Sequence, residues 1–523
     1  MGANQSKPST ESALSEKMSI EYQCTMESSS QDEGREAGYV FVDHRTSGST
    51  RKAEGLSLSQ VSGWQSEVLA SAKNRLALTA LSAAEPKKVL LTREAAMADQ
   101  HVFSLQIPFE GGPVTNQGSS GRCWLFAATN VFRVALMQKY ELAGFELSQA
   151  YLFFWDKLEK SNWFLEQVLD TATLDLDGRV VQTLLAAPVS DGGQWDMVRN
   201  LVAKYGIVPQ ALYPDSFSAA ASQTLNQVVA TRLRAGALEL RQLARDSQIS
   251  LSAYSSASPS ASSALAAAKD RILRDIHTVL TLTLGPPPAA TAEFTWSFVD
   301  RRGRARRVRA SPLAFAADIY SSSTGPLRIS SAAIDRMVSL VHDPRHPPLS
   351  LLTVDRLGNV VGPGARGITY VNVSMSTLKA GCIAMLRAGL PVFFGCDVGK
   401  FSDRDAGLLD LALYDYQLGL GLDLLAADKA ARLRSGESAM THAMVLTAVH
   451  IDPESHQPVR WRVQNSWGEA PGARGWFLMT DAWMDEFVYQ AVVDPRFLPR
   501  DVTDVLKKDP IVLPLWDPMG ALA

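Results

Sequence analysis

The most informative stretch of the chain is residues 117–124, which read QGSSGRCW. A glycine-rich turn leads into Cys123, and the run from Cys123 to Tyr140 is mostly apolar and contains neither Gly nor Pro. This pattern predicts a buried helix that begins at the cysteine. Free N–H groups at a helix start favour thiolate over thiol and can hold an oxyanion, and the amide of Gln117 is a second donor. We therefore interpret Cys123 as a nucleophile, although an isolated cysteine is more often structural.

A thiolate nucleophile needs a base, and the base needs an orienting group. Residues 443–449 have the pattern of an apolar strand between His442 and His450, and either histidine is open to a structural role. The sequence NSWG, which begins at Asn465, ends the next predicted strand. An asparagine carbonyl can accept the imidazole N–H, and Trp467 can shield that bond from water. If the two strands are neighbours, His442 is the better candidate for the base.

The order of these residues resembles that of the papain-like cysteine peptidases. Gln117 precedes Cys123 by six positions, as in that family, and His442 and Asn465 follow in the same order. The resemblance implies that Cys123 attacks the substrate carbonyl, His442 moves the proton and Asn465 orients the imidazole. It also implies that Gln117 and the backbone N–H of Cys123 hold the oxyanion.

Two further positions resemble the substrate cleft of that family. Residues 191–195 read DGGQW, and Gly192 and Gly193 match a glycine pair that lets the substrate backbone approach. A Gly-Gly pair alone more often marks a turn. Trp467, in the NSWG sequence, completes the predicted set of substrate-binding residues.

The departures from the secreted papain-like enzymes point to one branch, the bleomycin hydrolases. Ser120 stands where the secreted enzymes have a disulfide-bonded cysteine, and Cys123 and His442 are about twice the usual ~130–150 residues apart. Four blocks resemble the bleomycin hydrolases, and they are residues 113–117, 394–400, 436–444 and 514–523. This resemblance implies a papain fold with an added helical subdomain, a homohexamer, and a C-terminal arm in the cleft. The carboxylate of Ala523 would then anchor the free amine of a substrate, which gives aminopeptidase behaviour without a metal or another cofactor.

The chain changes character along its length, from a helical front to a strand-rich back, which predicts an α+β fold. In the terms of the papain fold, the front is the helical left domain and the back is the β-barrel-like right domain. The predicted divisions are a disordered tail (1–60), the helical half with the nucleophile (61–215), an inserted helical and hairpin subdomain (216–360), the strand-rich half with His and Asn (361–505), and the arm (506–523).

Local patterns place individual elements. A helix is predicted over residues 225–251 and a Ser/Ala-rich loop over 252–263. Strands are predicted over 102–107, 294–299, 305–313, 371–373, 391–397, 443–450, 461–465 and 476–480.

Composition excludes several classes of protein. Hydrophobic residues make up 46% of the 523 residues and charged residues 20%, as in globular proteins. The net charge of −3 gives no general case for nucleic-acid or membrane binding, and four cysteines are too few for a disulfide-stapled scaffold. The most apolar long stretch, residues 406–427, contains three aspartates, which argues against a membrane span. We therefore expect a cytoplasmic protein, and the sequence leaves a mitochondrial pool open.

Two motifs carry separate hypotheses. The opening sequence MGANQS fits the N-myristoylation pattern with Gly2 as the acceptor, and the alternative, which we favour, is a solvated tail. Acylation is the one route by which we would expect membrane association, and a single acyl chain binds a membrane only weakly. Residues 301–309, here called the Arg-rich segment, contain six arginines. We favour a solvated hairpin over a nucleic-acid site for this segment.

The sequence thus predicts a thiol aminopeptidase of the bleomycin hydrolase type. Its substrates would be peptides, the bleomycin amide and homocysteine thiolactone. The alternative is a nucleic-acid-binding hexamer that uses the Arg-rich segment, with or without catalysis. An inactive scaffold is disfavoured because competent residue types occupy all four catalytic positions.

Overall fold

The computed structural model describes residues 55–98, 100–246, 259–319 and 331–521. The chain divides into two units, Met1–Glu67 and Val68–Ala523. Of the first unit, the structure describes residues 55–67, most of which are helical. The predictions made for Gly2 and Ala523 lie outside the described residues.

The helices, in chain order, are α1 Leu58–Ala70, α2 Ala72–Leu81, α3 Pro86–Leu90, α4 Arg93–Ala98, α5 Cys123–Lys139, α6 Gln149–Asp170, α7 Arg179–Ala186, α8 Trp195–Tyr205, α9 Phe217–Ala220, α10 Gln223–Asp246, α11 Pro259–Leu284, α12 Pro312–Ala317, α13 Ser331–Arg336, α14 Met375–Arg387, α15 Tyr416–Leu420, α16 Lys429–Ser435, α17 Asp481–Phe487 and α18 Arg500–Asp504. None of the described helices combines the length and apolar character needed to cross a bilayer.

The strands are β1 Leu105–Gln106, β2 Phe294–Val299, β3 Ala305–Ala310, β4 Val338–Val341, β5 Leu351–Val354, β6 Tyr370–Asn372, β7 Val392–Cys396, β8 Ser402–Asp403, β9 Leu408–Leu409, β10 His442–Ile451, β11 Pro458–Gln464, β12 Trp476–Thr480, β13 Val488–Val493 and β14 Ile511–Leu513.

One large sheet organises the strand-rich part of the chain. Within the described residues its strand order is β14-β5-β6-β4-β13-β7-β10-β11-β12-β9-β8, and β1 pairs with β10. His442 lies opposite Cys396 of β7, in the middle of the sheet. Val445 lies opposite Gln464, so the residues that follow Gln464 run alongside the start of β10. The register therefore brings Asn465 towards His442, as the sequence predicts for neighbouring strands.

Helix α5 is buried on nearly all of its faces. Every residue from Cys123 to Met137 is buried, as expected for a helix without a polar face. One indole joins this helix to the sheet: the fully buried Trp195 of α8 has ring-centroid distances of 5.7 Å to Phe132 of α5 and 5.4 Å to Phe393 of β7. The position of the Cys123 helix relative to the sheet therefore depends in part on Trp195.

The structure confirms the helix that begins at Cys123, the mixed α+β class and the central strands near 371–373, 391–397, 443–450, 461–465 and 476–480. Three local predictions are wrong. Only Leu105–Gln106 of residues 102–107 is a strand. Residues 259–263 belong to α11, and the remainder of the predicted loop up to residue 258 lies outside the described residues. Strand β3 ends at Ala310 because Ser311 caps the next helix.

The large sheet begins earlier in the chain than the predicted divisions allow. Strands β4 and β5 lie within the range 216–360, which was assigned to the inserted subdomain, yet both pair inside the large sheet. Each strand has four residues and no alternation of polar and apolar positions, so its pattern could not be distinguished from a buried loop.

Replacing Trp195 with alanine should destabilise the protein strongly, because it leaves a cavity between α5 and the sheet. We expect a loss of about 3–5 kcal/mol in the free energy of unfolding. Thermal and urea unfolding followed by tryptophan fluorescence measure this loss. The control is Phe217→Ala, since Phe217 is 85% exposed. Equal unfolding midpoints for the two variants would contradict the bridging role of Trp195.

Candidate active site

The turn before Cys123 is closed by its own side chains. The Oγ of Ser120 donates to the Gln117 carbonyl at 2.6 Å, and the Gln117 amide donates to the Ser120 carbonyl at 2.6 Å. The buried Arg122 donates to both carboxylate oxygens of Asp215, at 2.9 and 2.8 Å. This double hydrogen bond fixes the residue that directly precedes the cysteine.

Asp191 connects that turn to the Gly-Gly segment. Its carboxylate accepts a hydrogen bond from the Gly121 N–H at 3.0 Å, and its carbonyl accepts one from the Trp124 indole at 2.6 Å. The buried ammonium of Lys157 lies 2.6 Å from the carboxylate, and Ser222 donates to it as well. Burial alone would raise the pKa of Asp191, but Lys157 and these donors hold that pKa well below its usual range. Asp191 is therefore a charged anchor beside the nucleophile.

The histidine and asparagine meet as the strand register requires. The Nε2 of His442 lies 2.9 Å from the Oδ1 of Asn465, and both residues are buried. The ring of Trp467 lies over the imidazole, with 4.8 Å between the ring centroids and a tilt of 34°. The bond between His442 and Asn465 is thereby shielded from water.

Gln117 is held between the nucleophile turn and the asparagine segment. Its Oε1 accepts a hydrogen bond from the Ser466 hydroxyl at 2.7 Å, and its backbone N–H donates to the Ser466 carbonyl at 2.8 Å. The side-chain amide uses one N–H on Ser120, and a primary amide has two. Gln117 therefore retains donor capacity for an oxyanion.

The thiol of Cys123 lies at the start of β10. The backbone N–H of Ala443, which directly follows His442, favours the thiolate and lowers the pKa of Cys123. Burial nevertheless raises the pKa of Cys123 to about 11, against the lowering effect of this and other backbone donors. Burial also lowers the pKa of His442 to about 4. The backbone donors at the helix start do favour the thiolate, as the sequence predicts, but desolvation outweighs them.

The Gly-Gly segment is packed tightly against the nucleophile helix. Lys160 donates to the Gly192 carbonyl at 2.5 Å. A Cβ at Gly193 would lie 2.6 Å from the ring of Trp124, so this position has no room for a side chain. The next residue, Gln194, donates its side-chain amide to the carbonyl of Ala521 at 2.7 Å.

The last part of the predicted arm, residues 514–521, reaches the Gly-Gly segment. Earlier in the arm, strand β14 pairs in parallel with β5. Asp517 forms an ion pair with Arg345 at 2.7 Å, Met519 is fully buried, and Tyr370 donates to the Met519 carbonyl at 3.2 Å. These contacts and the Gln194 bond hold the arm up to Ala521, two residues before Ala523.

The Arg-rich segment forms the turn and second strand of the β2–β3 hairpin. Arg302 and Arg304 form ion pairs with Glu141 at 2.9 and 2.8 Å. Arg304 and Arg306 form ion pairs with Asp300 at 2.8 and 3.4 Å. Half of the six arginines therefore have carboxylate partners, which reduces the charge available to a polyanion. Across the part of the chain that the structure describes, no group of three His, Cys, Asp or Glu residues could hold a metal ion.

The structure thus places the four predicted catalytic residues and Trp467 at one site, and it places Gly192 and Gly193 beside the nucleophile helix. Sequence reasoning missed Asp191, although that residue directly precedes the glycine pair. It also missed Lys157 and Ser466. No local pattern marks these residues, because their partners come from distant elements.

Comparison with known proteins agrees with this geometry. The model of the Peptidase C1-like family matches residues 55–520. Cysteine proteinase 1, mitochondrial, from Saccharomyces cerevisiae is 40% identical over 90% of this chain and 94% of its own length. Bleomycin hydrolase from Rattus norvegicus is 42% identical over 83% of this chain and 92% of its own length. The crystal structure of PepW from Lactobacillus rhamnosis superimposes with a TM-score of 0.81 at 37% identity, covering 90% of this chain and 99% of PepW.

Replacing His442 with alanine should suppress the reactivity of Cys123 towards iodoacetamide at pH 7. Because the imidazole is neutral, it can take up the thiol proton as the sulfur reacts, and without this base only the thiolate fraction set by a pKa of about 11 remains reactive. We expect alkylation at least about 100-fold slower, rising about tenfold per pH unit. Peptide mapping by mass spectrometry identifies the modified cysteine.

The matched control for this prediction is His450→Ala, at the other end of the same strand. Its alkylation rate should equal that of the unmodified protein. Rapid alkylation of Cys123 in the His442→Ala variant would show that backbone donors alone activate the thiol.

Proposed function

The chain belongs to the Peptidase C1-like family, and from that membership we propose that it is a thiol aminopeptidase. The papain-like fold and the cysteine-type peptidase class follow directly from the family model and the relatives. The more specific proposal is that it removes residues one at a time from the free amino end of peptides. The observation that carries this proposal is the hydrogen bond from Gln194 to Ala521, which holds the arm next to the Gly-Gly segment.

The proposed reaction has two steps. In the first, the sulfur of Cys123 attacks the carbonyl carbon of the first peptide bond as its proton passes to His442. The backbone N–H of Cys123 and the amide of Gln117 stabilise the oxyanion. His442 then protonates the leaving amine, and a thioester forms. In the second step, water gives up a proton to His442 and attacks the thioester, which releases the amino acid and restores the thiol.

The uncharged resting states of Cys123 and His442 suit this order of reaction steps. Burial disfavours the thiolate and the imidazolium, so proton transfer is coupled to attack on the substrate. Once the imidazolium forms, the Asn465 carbonyl accepts its N–H and Trp467 shields that bond. The role of Asn465 is therefore to fix the ring so that its other nitrogen serves the sulfur.

The arm supplies the preference for a free amine. In this proposal the carboxylate of Ala523, two residues beyond the bond to Gln194, forms an ion pair with the ammonium of the substrate. That ion pair would fix the distance from the amino end to the cleaved bond at one residue. The Gly-Gly segment provides the adjoining surface for the substrate backbone.

The wider proposals rest on the resemblance and on the relatives' names. The amide of bleomycin and the thiolactone of homocysteine are carbonyl compounds that the same acyl transfer would cleave. We also propose a homohexamer in the cytoplasm, with a mitochondrial pool as the alternative because the yeast relative is named mitochondrial. The nucleic-acid alternative is weaker, since three arginines of the Arg-rich segment form ion pairs. Filter binding at low salt would decide it.

Aminopeptidase activity should appear as cleavage of alanyl-aminomethylcoumarin but not of its N-acetylated form. A free ammonium is required for the proposed ion pair, so blocking it should reduce kcat/KM at least about 100-fold, as expected when one partner of a buried charge pair is lost. Fluorescence release measures both reactions, and Cys123→Ser should abolish them. Equal cleavage of the two substrates would retain the cysteine chemistry and contradict the arm.

Deleting residues 521–523 should increase cleavage of N-acetylated substrates relative to substrates with a free amine. The deletion removes the proposed anion and the segment bound to Gln194, so the cleft opens to longer chains. We expect the preference for the free amine to fall at least about tenfold, with an unchanged melting temperature. The two coumarin substrates and internally quenched peptides measure the change. An undiminished preference would place the amine-binding group elsewhere in the cleft.

A further inference from the structure

A cavity lined in part by Trp467 has no role in the proposed mechanism. Its volume is about 280 Å³. Trp467, Phe477 and Tyr414 form aromatic walls, and the segments 85–88 and 398–405 close the rest. Because Trp467 also covers His442, this cavity adjoins the catalytic base.

Arg404 is the charged group in contact with Trp467. The centre of its guanidinium lies 5.4 Å from the centroid of the indole ring, a typical cation–π distance. The side chain is exposed to solvent. Among the residues that the structure describes, no carboxylate lies within ion-pair distance of this guanidinium. Its hydrogen-bond donors are therefore available to a ligand.

The cavity is lined by further charged groups, among them Lys87, whose ammonium lies 5.5 Å from the centroid of the Tyr414 ring. Asp403 accepts hydrogen bonds from the Ala406 N–H at 2.9 Å and from the Tyr414 hydroxyl at 3.5 Å. Glu85 lies 3.7 Å from the ammonium of Lys88. Asp405 is the remaining carboxylate on the lining, and it competes directly with any anion that approaches the cavity.

The position of the catalytic base, His442, determines the direction in which a substrate lies in the cleft. Under the proposed function, His442 donates a proton to the nitrogen that leaves. The residue that carries this nitrogen must therefore lie against Trp467. Its side chain, or its terminal carboxylate if it is the last residue, extends into the cavity towards Arg404.

We infer that Arg404 is a specificity-determining residue that selects a carboxylate on the residue directly after the cleaved bond. This inference rests on the proposed function and adds a preference for acidic residues on the leaving side. The carboxylate has two sources, the side chain of Asp or Glu and the free carboxyl end of a dipeptide. The planar guanidinium binds either of them with two hydrogen bonds while it remains stacked on the indole.

The test compares cleavage of Ala-Glu-Ala-amide with that of Ala-Gln-Ala-amide by chromatography. The side chains of Glu and Gln have nearly the same shape, so the ratio of their kcat/KM values reports charge alone. We expect a ratio of about five for the unmodified protein at low salt, falling at high salt. Arg404→Met should bring the ratio close to one, and Asp405→Asn should increase it. A second pair, Ala-Ala and Ala-Ala-amide, tests the terminal carboxylate in the same way.

Arg434→Met is the matched control, since Arg434 is an exposed arginine in the last turn of α16 and does not line the cavity. It should leave both ratios unchanged. Cleavage of all the peptides with equal Glu and Gln rates, or a ratio that Arg404→Met does not alter, would overturn this inference and leave the proposed function intact. No Cys123-dependent cleavage of any peptide would overturn both.

Discussion

The buried carboxylate of Asp191 is the contact on which the arrangement of the site depends most. It binds the backbone before Cys123, and its own carbonyl holds the indole of Trp124. Lys157 of α6 neutralises it inside the protein, while Ser222 and Asn226 approach from the start of α10. A buried charge is tolerated only when it is paired and hydrogen-bonded, so these elements must keep their relative positions. The nucleophile is consequently fixed by the protein interior as well as by the hydrogen bonds within its own turn.

The same kind of contact ties the chain just before α10 to the nucleophile turn. Arg122 is bound by Asp215, and the Ser119 N–H donates to the carbonyl of Ala220 at 2.7 Å. Both partners lie just before α10, in the part of the chain that separates the two halves of the site. The segment before α10 therefore supports the nucleophile turn from behind. Without residues 216–226, the Ser119 N–H and the Asp191 carboxylate would lose Ala220, Ser222 and Asn226 as partners, although Asp215 and Lys157 would remain.

The sequence was sufficient for the residues whose signals are local. Cys123 follows a glycine-rich turn, and the strand pattern after His442 placed it beside Asn465. The roles of Asp191, Lys157 and Arg404 could not be predicted, because each depends on which distant surfaces meet. Burial likewise depends on the whole fold, so the raised pKa of Cys123 could not be read from the helix start. The short strand β5 was missed for a related reason, since it lacks a pattern of its own.

The hydrogen bond between Gln117 and Ser466 has a consequence for folding. It joins residues that are 349 positions apart in the sequence, and Cys123 and His442 are separated by a similar length of chain. Contacts of such long range form late, because the entropy of closing a large loop must be overcome before they contribute. A chain that is only partly folded would therefore carry the cysteine without its base or its oxyanion donors. Peptidase activity would then arise only in molecules that have completed the fold, which limits damage to unfolded chains of the same protein nearby.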